Sequence, residues 1–331
     1  MTSNNGLSSV NSSFNGSFAF EEFYQFHVGM ITSLGFIGLF TNILVIKVVY
    51  SNSKLQNTPS YLIIHLAIAD ILSSCQPIVV GISLMALANR NWPHHIILAL
   101  CRVAFYWWLL GYSLSVGMLT LISIERYRAI IQPMKLRLAG KQLNTILMFI
   151  WLTCLCISLP ITVAADVDPV YYFDCRVEVN LFPTFIDTYF TAITAIVYFI
   201  PLIIISFCYT CVVRKLRKDD KQVHQLKRTL TANQILKKKI MRMLILVTLN
   251  FMVSSLPWII SLIMIAYYGI SPNDFYYSQD KFLTVIAISI KALFSSLPIT
   301  NSLIYFMTNP TIQQKVLLWL TKHKVVMVRP I

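Results

Sequence analysis

The stretch CRVAFYWWLLGYSLSVGMLTLISIERY, residues 101–127, decides the fold. Between Arg102 and Glu125 run 22 residues without a charge, Val103–Ile124. That is the length an α-helix needs to cross a hydrocarbon core of roughly 30 Å. The run opens at Cys101 and ends on the triplet Glu125-Arg126-Tyr127. Charges at that depth are costly unless they face water or a protein partner. The segment therefore reads as a spanning helix with a disulfide-capable outer end and a charged, working inner end.

The rest of the chain repeats the pattern. Of 331 residues, 56% are hydrophobic and 12% charged, against about 25% charged in a soluble domain, so lipid must be the solvent. Further charge-free windows are Phe23–Ile46, Ile71–Asn89, Gln142–Ala165, Thr188–Val213 and Met243–Asn273. The second span begins near Pro59 and holds Asp70 inside it, and a seventh runs from Asp280 to Thr308, interrupted by Lys291. The expectation is an all-α membrane protein, a seven-transmembrane helix bundle with a short amphipathic helix after the seventh span. That last helix would be Thr311–Thr321, with Ile312, Val316, Leu317, Trp319 and Leu320 against the inner membrane face. The domains would be an outer glycosylated segment, 1–26, the bundle, 27–309, and the surface helix with a short tail, 310–331.

The net charge of +14 could suggest nucleic acid, but its distribution says otherwise. With the N-terminus outside, only Arg90, Arg102, Arg176, Lys281 and Lys291 lie toward the outer side, and the other 22 of 27 Lys and Arg fall inside. Nine of thirteen acids lie outside. This is the positive-inside rule, with added attraction to anionic lipid headgroups; nucleic-acid binding is not needed. Residues 1–20 lack a basic start and an early apolar core, so no cleaved signal peptide is expected. The sequons at Asn11 and Asn15 fall on the outer side. Of seven cysteines, Cys101 and Cys175 lie outside, where disulfides persist. Bridging them would pin the 166–183 loop over the third span. No His/Cys spacing fits a metal site, and no nucleophile–base pair or phosphate loop suggests an enzyme.

Further motifs fall in order along the spans: Asn42 in the first, Leu66-Ala67-x-Ala69-Asp70 in the second, and Arg126 25 residues after Cys101 in the third, with Pro133 following. Then come Trp151 and Pro160, Pro201 and Tyr209, Phe251 and Pro257, and Asn301-Ser302-Leu303-Ile304-Tyr305. As a set this resembles the rhodopsin-like (class A) G-protein-coupled receptors, over all seven spans. Glu125-Arg126-Tyr127-Arg128-Ala129-Ile130 resembles neuropeptide receptors weakly. The resemblance implies a plasma-membrane receptor with an extracellular ligand and a heterotrimeric G protein as partners. Glu125, Arg126, Tyr127, Tyr209, Asn301 and Tyr305 would form the G-protein switch, with Met134 as an apolar knob. Pro201, Val116 and Phe251 would be the packing hinge. Asp70, Ser115 and Asn301 match a polar cluster that holds sodium in the family, but Leu297 and Pro298 stand where polar partners usually do. A polar switch at Asp70 is expected, with sodium an optional occupant and no other cofactor.

Three departures stand out. Ser255 replaces the family's sixth-span tryptophan, with Trp258 just beyond Pro257; Ser302 replaces the seventh-span proline, with Pro298 one turn earlier; Lys237 sits where some members clamp the arginine with an acid. Trp108 occupies the amine receptors' aspartate position, and Ser295 the retinal lysine's, which disfavours both readings. The aromatic region Trp107, Trp108, Tyr112 and Trp258, with outer acids Glu178 and Asp187, favours a peptide with a basic or amidated end. Residues 171–178 alternate like a β-hairpin. The rival is an anionic small molecule or lipid paired to Lys291. A transporter or channel is a remoter class, because only Asp70 and Lys291 are ionisable within the core. A tail poor in Ser and Thr implies weak tail-dependent arrestin recruitment, with Thr229 and Thr231 as other phosphorylation sites.

Overall fold

Lipid cannot hydrogen-bond a peptide group, so each apolar run closes its backbone internally as a helix. The computed structural model describes residues 5–51, 58–87, 92–134, 138, 140–167, 175–177, 183–225, 232–268, 280–308 and 313. The helices are α1 (Asn5–Tyr50), α2 (Thr58–Leu87), α3 (His94–Ile131), α4 (Gly140–Ser158), the turn α5 (Ile161–Ala164), α6 (Pro183–Thr194), α7 (Ile200–Gln225), α8 (Ala232–Tyr268), α9 (Lys281–Ser295) and α10 (Leu297–Thr308). Six helical segments are long and apolar enough to cross a membrane, and α9 with α10 forms a seventh span bent by 46°.

The third span is the axis of the bundle. α3 packs against α2, α4 and α7, while α8 packs on α6 and α10, and α1 on α2 and α10. At Gly111 a Cβ would come 2.6 Å from the Ser73 backbone nitrogen. Only glycine allows α3 so close to α2 there, one turn from the helix faces that carry Ser115 and Asp70.

Two irregularities interrupt the long helices. Between α6 and α7 lies a π segment, Ala195–Phe199, where the Ile200 N–H reaches back five residues to the Ala195 carbonyl. The seventh span breaks at Ser296, just before Pro298, whose ring cannot continue the hydrogen-bond ladder. The span expected over 280–308 is thus present as two helices, with the kink expected from Pro298 falling at Ser296. α9 starts on Asp280, whose carboxylate accepts the Phe282 N–H at 2.9 Å, an N-cap.

At the Cys101 end, strand β1 (Ala165–Val167) pairs antiparallel with β2 (Cys175–Val177), Val167 opposite Cys175. Of the stretch 171–178 expected to form a hairpin, residues 175–177 are described, and they pair with the residues leaving the fourth span. The disulfide Cys101–Cys175 forms, tying β2 to α3 across a sequence separation of 74. The side chains of Asn11, Asn15 and Lys237 lie outside the described residues, as do Glu178, Thr229, Thr231 and 310–331 apart from Gln313.

Candidate functional site

The expected site residues fall into three tiers along α3. At the lower tier Glu125 is buried, and its Oε2 accepts the Arg126 Nε at 2.6 Å. Neighbouring carboxylate and guanidinium thus satisfy each other at a helix end with little access to water. Tyr127 packs its ring 5.8 Å from Phe207, joining α3 to α7. Tyr209 is buried and its hydroxyl meets Thr248 Oγ1 at 3.3 Å, joining α7 to α8. Tyr305 is fully buried, with no hydrogen-bond partner for its hydroxyl among the described residues. Met134 is 97% exposed just past the end of α3.

The middle tier is polar. Asp70 is 1% exposed, and both carboxylate oxygens are engaged: Ser115 Oγ donates to Oδ1 at 2.9 Å and Asn301 Nδ2 to Oδ2 at 3.1 Å. Three spans converge on one carboxylate. Asn42 extends the tier to the first span, donating to the Pro298 carbonyl at 3.0 Å. The Asn42 amide thereby joins the first span to the first turn beyond the bend of the seventh. The amide oxygens of Asn301 and Asn42 are buried without a hydrogen-bond partner among the described residues. Asp70, Ser115 and the Asn301 amide oxygen are hard oxygen donors suited to a small cation. Leu297 and Pro298, both buried, add no side-chain oxygen.

The upper tier is aromatic. Trp108 of α3, Trp258 of α8 and Phe294 of α9 form a closed triad, with ring centroids 5.3 Å apart for the two tryptophans, 5.7 Å for Trp108–Phe294 and 5.5 Å for Trp258–Phe294. Phe294 in turn lies 5.3 Å from Tyr112, and Tyr112 stacks on Phe251 at 5.4 Å with the planes 16° apart. Tyr112 is 3% exposed, packed between Phe294 and Phe251. It fills the space beside fully buried Ser255, where a serine leaves room for a helix 3 ring. Val116 and Phe251 share the core, and Pro201 is buried.

Other expectations are redistributed. Trp107 is 37% exposed and points away from the triad that takes Trp108; one residue of helix is a turn of about 100°. Asp187 is exposed at the start of α6. Lys291 is half-buried on α9. Sequence reasoning missed Phe294, Thr248, Asn250 and Thr300. It also missed His65, whose Nδ1 accepts the Trp151 indole N–H at 3.3 Å. A polar residue in a lipid-facing span was the available signal for Asn250 and His65.

A seven-span bundle, a three-helix carboxylate cluster and a capped arginine define a membrane receptor. The chain belongs to the rhodopsin family of seven-transmembrane receptors, whose family model matches residues 41–312. It is similar to the tachykinin-like peptides receptor 86C of Drosophila melanogaster, 25% identical over 291 residues, covering 83% of this chain and 54% of that one. It is also similar to lysophosphatidic acid receptor 6 of Gallus gallus, 27% identical over 247 residues, covering 71% and 75%. The chain thus spans little more than half the length of the first of these relatives. Squid rhodopsin shares the fold, with a TM-score of 0.69 at 20% identity over 90% of this chain and 86% of that one.

Proposed function

We propose that this chain is a plasma-membrane G-protein-coupled receptor for a peptide, with its N-terminus outside. The observation that carries the reading is the aromatic triad Trp108–Trp258–Phe294. With Trp108 where an amine would need a carboxylate, the floor offers large rigid apolar faces. Such a floor suits a bulky side chain at the tip of a peptide. The disulfide-tied β1–β2 pair and the tachykinin-type relative support it further.

Signalling then follows from the tiers. A ligand group pressing on the triad displaces Phe294 and Tyr112, and Tyr112 bears on Phe251 of the sixth span. Outward movement of α8 opens the inner end, where Arg126 exchanges Glu125 for the G protein. A sodium ion, when bound among Asp70, Ser115 and Asn301, supplies a counter-charge to the buried carboxylate.

A second reading rests on Lys291, a half-buried cation within the seventh span, and on the lipid-receptor relative. There an anionic lipid or carboxylate would be the ligand. The test is a peptide library and an anionic lipid panel applied in parallel, read by G-protein dissociation. A peptide hit that survives Lys291→Glu supports the first reading. A lipid hit abolished by that change replaces it with the second.

A further inference from the structure

The sixth span is gripped on two sides within one turn. Facing α7 and the π segment, Thr248 meets the Tyr209 hydroxyl, and the Met252 carbonyl accepts the Tyr198 hydroxyl at 3.1 Å. Facing α10, the Asn250 side-chain amide donates to Thr300 Oγ1 at 2.8 Å, and that hydroxyl donates onward to the Leu297 carbonyl at 3.0 Å. Donor, relay and acceptor point the same way, so each bond polarises the next. The chain ends on the first residue past the break in the seventh span.

We infer that Asn250 and Thr300 form a clasp that holds the sixth span closed and sets the threshold for receptor activation. Asn250 sits between Leu249 and Val253, both well exposed on the lipid side, at 56% and 68%. Hydrocarbon offers its amide no substitute partner, so separating α8 from α10 strands a polar group in lipid. The clasp also adjoins the trigger. Phe251, the next residue, carries the Tyr112 ring from α3. Pressure arriving through Tyr112 therefore acts on the same turn that the clasp restrains. Because Thr300 relays to Leu297, release on the sixth span is felt at the bend of the seventh. Both residues are positioning residues, acting on helix geometry rather than on ligand or G protein.

The inference rests on the receptor reading, and its test keeps the two apart. The full chain in native-like membranes would be assayed for ligand-free nucleotide exchange on purified heterotrimers of every Gα class. A spin-label pair at the exposed positions Lys141 and Lys239, with Cys156 replaced, would report the separation of α4 and α8. Thr300→Val keeps shape and removes the hydroxyl, whereas Thr300→Ser keeps the hydroxyl. Asn250→Leu and Thr300→Val should each raise basal exchange about three- to tenfold and lengthen the label distance, the shift a cross-helix bond of ordinary membrane strength permits. Thr300→Ser should match the parent, the double variant should go no further than either single one, and the exchanged pair Asn250→Thr with Thr300→Asn should restore low basal activity. Unchanged exchange and distance in Thr300→Val, a fall in exchange, or additive effects in the double variant would overturn the clasp. Exchange on no heterotrimer by any variant would instead overturn the receptor reading, and the label distances would still decide the clasp.

Discussion

Tyr112 lies flat on Phe251, 5.4 Å between centroids, so the third span touches the sixth through two stacked rings next to the Trp108–Trp258–Phe294 triad. No tryptophan occupies the sixth-span position one turn further out; Ser255 does. In the proposed signalling path the stack makes Tyr112 the ring that links the aromatic triad to Phe251. Tyr112→Phe keeps the stack and should leave thermal stability in detergent near the parent. Tyr112→Ala opens a cavity at a buried site, at a cost of about 3–5 kcal/mol. Melting curves of the two variants check this, and equal melting temperatures would count against a packed role.

Neutralising Glu125 should raise basal signalling. Its carboxylate restrains Arg126 at 2.6 Å with both side chains largely out of water. If the pair contributes about 1 kcal/mol to the closed arrangement, Glu125→Gln should raise ligand-free nucleotide exchange about fivefold. Unchanged exchange would show that Arg126 is held by something else.

Asp70 supports an ordered pair of variants. Asp70→Asn retains an acceptor, and the Ser115 hydroxyl and Asn301 amide can reorient around it. Asp70→Ala leaves both donors buried with nothing to receive them, at about 1–3 kcal/mol for each. The expected stability order is parent, then Asn, then Ala. Replacing sodium by a large organic cation should alter the parent's melting temperature more than that of Asp70→Asn. Equal sodium responses would place any ion elsewhere.

The Cys101–Cys175 bridge closes a long loop, and a chain-entropy estimate assigns about 4 kcal/mol to a closure of this size. Cys101→Ser, Cys175→Ser and the double variant should lose the same stability, because each removes one and the same bond. A double variant clearly worse than both singles would mean that the cysteines contribute separately.

What could be read from the sequence has a physical pattern. The spans, the Cys101–Cys175 pair, Asp70 and the Glu125–Arg126 end stand out because charge and sulfur are conspicuous in an apolar chain, whereas Ser115 and Asn301 were named only through the family resemblance. The neighbours of each helix face are not conspicuous. Lipid and protein core are equally apolar, so no stripe of polarity separates Trp107, facing outward, from Trp108, facing the triad. For the same reason Phe294 gave no sign that it would complete the ring cluster. Asn250 and Thr300 were visible as polar residues, but their pairing depends on how α8 turns toward α10. Pro298 signalled a bend; that the break falls at Ser296 needed the structure.

The π segment at Ala195–Phe199 sets the two halves of the fifth span in different rotational phase. One additional residue in a turn advances everything beyond it by about 100° relative to a regular helix. Tyr209 below and the Asp187–Phe190 stretch above are therefore indexed independently. Gain or loss of a single residue in that turn re-aims the pocket face of α6 while leaving the inner tier where it is. Ligand preference in this fold can thus drift by changes of length as well as of side chain, and comparing fifth spans position by position across relatives requires the wide turn to be matched first.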